Sequence, residues 1–212
     1  MHEGIYRECI SPKNGGTGEF NRIAYKAAEG EKVSIKGSEI IKGWEIFKGT
    51  VWKVELDNSF FADFNPFAKR LFGDWFVHPL DFELHLGEVY LNGKSFYEAK
   101  TIEELIKAEK RTEGFPPPWS KQVEKILHPE DTIYQWYAEV LEDKTIIYAN
   151  FQKEDPNKEI VEINVRESVF YPEKNNVNYI TISGFELSQS ASRWAPPTGN
   201  QVGLIGPNWA TG

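Results

Sequence analysis

The sequence is poor in cysteine: of its 212 residues only Cys9 is one, which excludes an internal disulfide framework and a cysteine-rich metal site. That fits a reducing compartment. Basic charge is also short, with 24 Lys and Arg against 32 Asp and Glu and a net charge of −8. Nucleic acid is therefore not an expected partner, because its binding relies on Lys and Arg neutralising phosphates. No apolar run approaches the roughly 18 residues of a membrane span, so no membrane partner is expected. The opening MHEGIYRECI lacks both the basic and the apolar region of a secretory signal. Nothing in the chain exports it, and a cytoplasmic location is expected unless a signal lies upstream of a truncated start. Catalytic signatures are missing too. There is no Gly-x-Ser-x-Gly, no phosphate-binding glycine–lysine loop and no dinucleotide fingerprint, and no cofactor is expected. His2, His78, His85 and His128 show no ligand spacing. His78 and His85 bracket Asp81 and Glu83, but histidines in β-rich loops are usually structural or solvated, and no metal is expected.

Aromatic residues, by contrast, are abundant: seven Trp, nine Tyr and fourteen Phe, 14% of the chain. Such a payload suits β-structure and the flat apolar faces that stack on sugar rings. As core filler in a β-rich fold, these residues need no further explanation.

The first forty residues carry short β-runs: Ile5 to Ile10, Arg22 to Lys26 and Val33 to Lys36, with Gly30 supplying a positive-φ turn. The same grammar returns at Val161–Val165, Val169–Tyr171 and Tyr179–Ser183. The strings KVSIKGSEI (32–40) and NYITISGFEL (178–187) both read as strand, glycine, strand, with Gly37 and Gly184 at the corners. Short strands with corners at regular intervals suggest coils of a parallel β-helix, while a plain β-sandwich with regular turns fits the pattern equally. Between about 41 and 160 the texture changes to hairpins. GEVYLNGKSFYEA (87–99) places Asn92-Gly93 between β-formers, a strong hairpin signal. Residues 132–151 read as two strands around Glu-Asp-Lys, and Trp44 to Leu56 as a hairpin turning at Lys48-Gly49. One helix is expected from Thr101 to Arg111, with Thr as cap and Glu104 three positions on. Three prolines in GFPPPWSKQ then break it.

Glycoside hydrolysis needs two carboxylates flanking a bond, and Asp63 in SFFADFNPF and Asp74 in LFGDWF each sit among aromatics. An apolar neighbourhood raises a carboxyl pKa and makes a general acid, although turn-capping is the commoner employment of such aspartates. Trp75, Trp119, Trp194 and Trp209 lie in Gly- or Pro-rich loops. An exposed tryptophan in a stiff loop stacks on a sugar with little entropy loss, or else lids an open hydrophobic edge.

The strings HEGIYRE, YKAAEGEKVSIKGSE, NSFFADFNPF, FGDW, GEVYLNGKSFYE, WYAEV, IYANFQKEDPN, VEINVRESVFYP, YITISGFEL and WAPPTGNQVGLIGPNW together resemble the N-terminal part of glycoside hydrolase family 120. These are β-xylosidases built on a right-handed parallel β-helix with an inserted β-sandwich. The resemblance runs in order from His2 to Trp209. It implies an all-β fold with β-helix coils at 1–40, an antiparallel sandwich module, Ig-like or jelly-roll-like, at 41–160, and a return to coils with a groove-wall loop at 161–212. It also implies a retaining mechanism with an Asp nucleophile and a Glu acid/base in later coils, beyond this sequence, so no catalytic residue is carried over. Family members begin earlier than this chain, which therefore looks like a fragment open at both ends of its helix. Trp194, Asn208 and Trp209 in the loop matching WAPPT…GLIGPNW, and Asp74 and Trp75 of FGDW, are the implied neighbours of a xylo-oligosaccharide. Three functions stay in view: part of a β-xylosidase inactive by itself, a non-catalytic carbohydrate-binding module, and a structural piece whose open coil edges self-associate or pair with another chain.

Overall fold

The computed structural model describes residues 1–71, 83–114, 116, 121–191 and 202–210. These residues form fourteen short strands and one six-residue α-helix, so the chain is all-β. No helix among them is long and apolar enough to cross a membrane. The chain divides into two compact units, one made of residues 1–39 and 164–212 and the other of residues 40–163.

The first unit holds β1 (Gly4–Tyr6), β2 (Ile23–Lys26), β3 (Val33–Lys36), β13 (Ile180–Ser183) and β14 (Phe185–Ser188). Between β3 and β13 the chain also forms β4 (Ser38–Ile40), which leads out of the unit, and β12 (Val161–Asn164), which leads back. β3 pairs in parallel with β1 on one side and β14 on the other, stacking Tyr6, Ile35 and Leu187 in one column. β2 and β13 pair in parallel, Ile23 against Ile180. The strings 32–40 and 178–187 therefore pair, but not in the register that would align their glycines. β3 lies beside the strand after Gly184, and the strand before Gly184 lies beside β2, an offset of one strand. The corner opposite Gly184 is thus the stretch 27–32.

Two expected strands are shorter than their β-formers suggest. β1 stops at Tyr6, and Val169–Tyr171 is reduced to Phe170, which bridges in parallel to Ile10 and to Ile205. The Tyr171 N–H donates to Ile10 O at 3.0 Å. The next donor on each side would be residue 12 or residue 172, and both are proline, which has no N–H to extend a ladder. Val33, Ile35, Val169, Phe170 and Val177 are buried in this unit, with Tyr25 edge-on to Phe170 at 5.3 Å.

The second unit contains β5 (Glu45–Lys48), β6 (Val51–Asp57), β7 (Val89–Leu91), β8 (Lys94–Ser95), β9 (Tyr97–Glu98), β10 (Gln135–Val140) and β11 (Lys144–Asn150). Its larger sheet runs β5-β6-β11-β10-β9, antiparallel except where β9 runs parallel to β10. The second sheet contains β12, β7 and β8, antiparallel throughout. The three expected hairpins are present: β5–β6, β7–β8 and β10–β11. Asn92 and Gly93 carry φ of 52° and 82°, the paired positive values of a type I′ turn, which Asn-Gly adopts at little cost.

The helix, α1 (Ile102–Lys107), is four residues shorter than expected. Thr101 Oγ1 accepts from the Glu104 N–H as cap, and Ala108 ends the helix in a left-handed conformation. Buried Asn150 donates from Nδ2 to the Leu105 carbonyl at 2.9 Å, satisfying an acceptor of the last turn. Leu105 lies fully buried with Val51, Ala99, Ile146 and Tyr148. A second cluster is aromatic: Trp44, Phe151, Phe96 and Tyr134 form a chain of ring contacts at 5.0–5.4 Å. Asn157 fixes Trp44, its Oδ1 accepting from the Gly43 and Trp44 N–H groups and its Nδ2 donating to Trp44 O.

Candidate functional site

Within the first unit, the tail segment 202–210 borders an apolar groove of about 290 Å³, lined by Phe170, Pro172, Tyr179, Ile182, Ile205 and Pro207 among others. The segment is held by its pairing with Phe170: Gly206 N donates to Phe170 O at 3.1 Å. Gly206 is buried, and a Cβ there would lie 2.3 Å from the Tyr171 ring, so only glycine lets the loop settle onto that ring. Asn208 Nδ2 donates to the Pro172 carbonyl at 2.7 Å. Ala210 N donates to Pro207 O at 3.1 Å, closing a tight turn whose central residues, Asn208 and Trp209, have φ of 44° and 60°. Asn tolerates that region; tryptophan does so only when the surroundings impose it. The outcome is an indole that is 79% exposed.

Among the described residues, no charged side chain lines the groove. It can take an apolar ring face. Asn208 and Trp209 lie between Pro207 and Ala210, which line the groove, but neither lines it; Trp194, Asp74 and Trp75 lie outside the described residues, as do Trp119 and His78. Sequence reading took Phe170, Tyr179 and Ile182 for ordinary strand residues. The prolines that line the groove, Pro172 and Pro207, each stand two positions after a bridge residue.

Of the other candidates, His85 and Glu83 have structural partners. Asp63 is exposed; its neighbours Asp57 and Asn65 cap the short 3-10 helices Asn58–Phe61 and Pro66–Ala68, accepting from the Ser59 and Phe67 N–H groups. His85 donates from Nδ1 to Glu98 Oε1 at 2.6 Å, and its backbone N–H donates to Glu98 Oε2 at 2.8 Å. Glu83 pairs with Arg70 at 2.8 Å. No group of three metal-ligating side chains occurs among the described residues.

Comparison with known proteins gives two matches. Residues 41–163, more than half of the chain, match the family model of the glycoside hydrolase 120 insertion domain. A solved complex of XylC with xylose is similar over 98% of this chain, at 53% identity and a TM-score of 0.93. This chain spans about a third of XylC, 32% of its length. No match is found among the curated proteins. The insertion-domain match covers the unit of residues 40–163 almost end to end, and on that ground the chain belongs to glycoside hydrolase family 120.

Proposed function

We propose that this chain is part of a retaining β-xylosidase-like glycoside hydrolase acting on xylo-oligosaccharides, and that its share of the work is to shape the sugar groove. The observation that carries this is the similarity to XylC, a protein solved with xylose, along 98% of the chain. The parallel pairing of β1, β3 and β14 and of β2 and β13 supports reading the first unit as coils of a right-handed parallel β-helix. The hairpin-rich second unit is then the inserted β-sandwich. Trp209 offers its indole face to a pyranose ring, with Asn208 fixing the turn beneath it. Trp194, Asp74 and Trp75 join them in this reading as further sugar neighbours. Hydrolysis with retention needs a carboxylate nucleophile and an acid/base on opposite sides of the bond. The family resemblance puts both in coils that this sequence does not include.

Two measurements test the proposal. The purified chain is expected to release no chromophore from an aryl xyloside, and hydrolysis by contaminant-free protein would refute that part. Xylobiose is expected to bind weakly and saturably, with loss on Trp209→Ala; equal binding by the variant removes Trp209 from the site. A second reading, a non-catalytic carbohydrate-binding module, is favoured by the high exposure of Trp209 alone. It predicts binding to insoluble xylan as well as to xylobiose. Self-association through unpaired strand edges is a further expectation, checked by sedimentation over a range of concentrations.

A further inference from the structure

The second unit contains a polar pocket of about 390 Å³ beside α1 and the start of β10, remote in sequence from the groove of Trp209. Gln135, the one buried residue among the described residues that line it, is 1% exposed. Its Nε2 donates to Thr132 O at 2.9 Å, which fixes the orientation of the amide, since the flipped form would set oxygen against oxygen. Its Oε1 has no hydrogen-bond partner among the described residues. The nearby hydroxyl of Thr132 cannot serve it: that group already donates to Pro129 O at 2.7 Å and accepts from the Arg111 N–H at 2.9 Å. A buried acceptor left in this state calls for a donor from outside the protein.

The walls indicate which donor. Lys100, Lys107 and Arg111 contribute three positive charges, and Glu103, Glu104 and Glu109 three negative ones. This balance disfavours an anion and a cation alike. It suits a neutral ligand with many hydroxyls, each able to donate to a carboxylate or amide oxygen and accept from an ammonium or guanidinium. The volume lies at the small end of ligand pockets and accommodates a mono- or disaccharide. We propose that this pocket is a second carbohydrate-binding site, with Gln135 Oε1 accepting a sugar hydroxyl at its base. The ligand class follows from the charge balance and the unsatisfied acceptor; only the choice of xylose-based sugars as probes rests on the function proposed above.

The test is an NMR titration of the isotope-labelled 212-residue chain with xylobiose, with inorganic phosphate in a parallel arm. The Gln135 side-chain amide and the Thr101 and Arg111 backbone amides are expected to shift along one saturable curve in the xylobiose arm only. Gln135→Leu is expected to weaken that curve by ~10-fold or more, as deletion of a buried hydrogen-bond partner does. The double variant Glu103→Ala/Lys107→Ala alters exposed walls alone, leaves the fold intact, and is expected to weaken the same curve; it decides the matter should Gln135→Leu fail to fold. Pocket amides that stay still while Trp209 responds would overturn this site and leave the function proposed above standing. A response to phosphate but not to xylobiose, or unchanged affinity in the double variant, would overturn it as well.

Discussion

Glu55 accepts hydrogen bonds from Lys144 Nζ at 2.7 Å and from Lys53 Nζ at 2.8 Å. The first of these, then the second, holds its carboxyl at about 2, below the usual 4.5. A carboxyl depressed in this way stabilises the fold above pH 4.5 and loses that contribution as the pH falls toward 2. The pair is partly exposed and screened by solvent and salt. An NMR titration of the Glu55 carboxyl is expected to give a midpoint near 2 in the native chain and a higher one in Lys144→Ala. Tyr90 shows the opposite influence. Burial, then the charge of Glu88, pushes its phenol far above the ordinary tyrosine range, and the hydroxyl donates to Glu88 Oε2 at 2.5 Å. Packing dominates at Leu105, which is fully buried. Leu105→Ala is expected to cost about 2–5 kcal/mol in a denaturation experiment, the range for a buried leucine truncated to leave a cavity.

At the scale of elements, the two glycines read from sequence as corners are needed for different reasons. Gly184 turns the chain between β13 and β14 with φ +81°, a conformation that costs a side-chain-bearing residue about 1–2 kcal/mol. Gly37 needs no such angle. A Cβ there would lie 2.7 Å from Ser190 Cα and 2.8 Å from Gln189 O, both of them backbone atoms that cannot swing aside. Gly37→Ala is therefore expected to lower the denaturation midpoint more than Gly184→Ala. A smaller change would mean that the 189–190 backbone yields easily. Thr101→Ala removes the cap of α1 and is expected to cost about 1 kcal/mol. The hairpins and the helix were legible because their signals are local: Asn92-Gly93 between β-formers, Lys48-Gly49, and Thr101 with Glu104. The single-residue bridge at Phe170 was not, because prolines at 12 and 172 act on ladders whose other strands are distant in sequence.

For the molecule as a whole, the two units differ in how the chain builds them. Residues 40–163 are continuous, contain their own hairpins and bury a set of aromatic rings from Trp44 to Phe151. This segment expressed alone is expected to unfold in one cooperative transition by circular dichroism, and a gradual, non-cooperative loss of signal would show that its core is insufficient. The other unit joins residues 1–39 to residues 164–212 through pairings such as Ile23 with Ile180. Such non-local ladders gain nothing until a long loop has closed. Residues 1–39 alone are accordingly expected to remain unfolded.

By itself the sequence determined the β-rich class, the hairpins, the cap of α1 and the resemblance to family 120, since these rest on neighbouring residues or on whole strings read in order. Only the tertiary structure decided which strand lies beside which, and hence that β3 stacks on β14 and not on β13. It also decided that residues 205–207 and Ala210 border an apolar groove and that Gln135 is left with an unsatisfied oxygen beside a charge-balanced pocket. The physical reason is the same in each case. Register, burial and the fate of a single acceptor depend on groups brought close by the fold from far along the chain, and no local pattern records them.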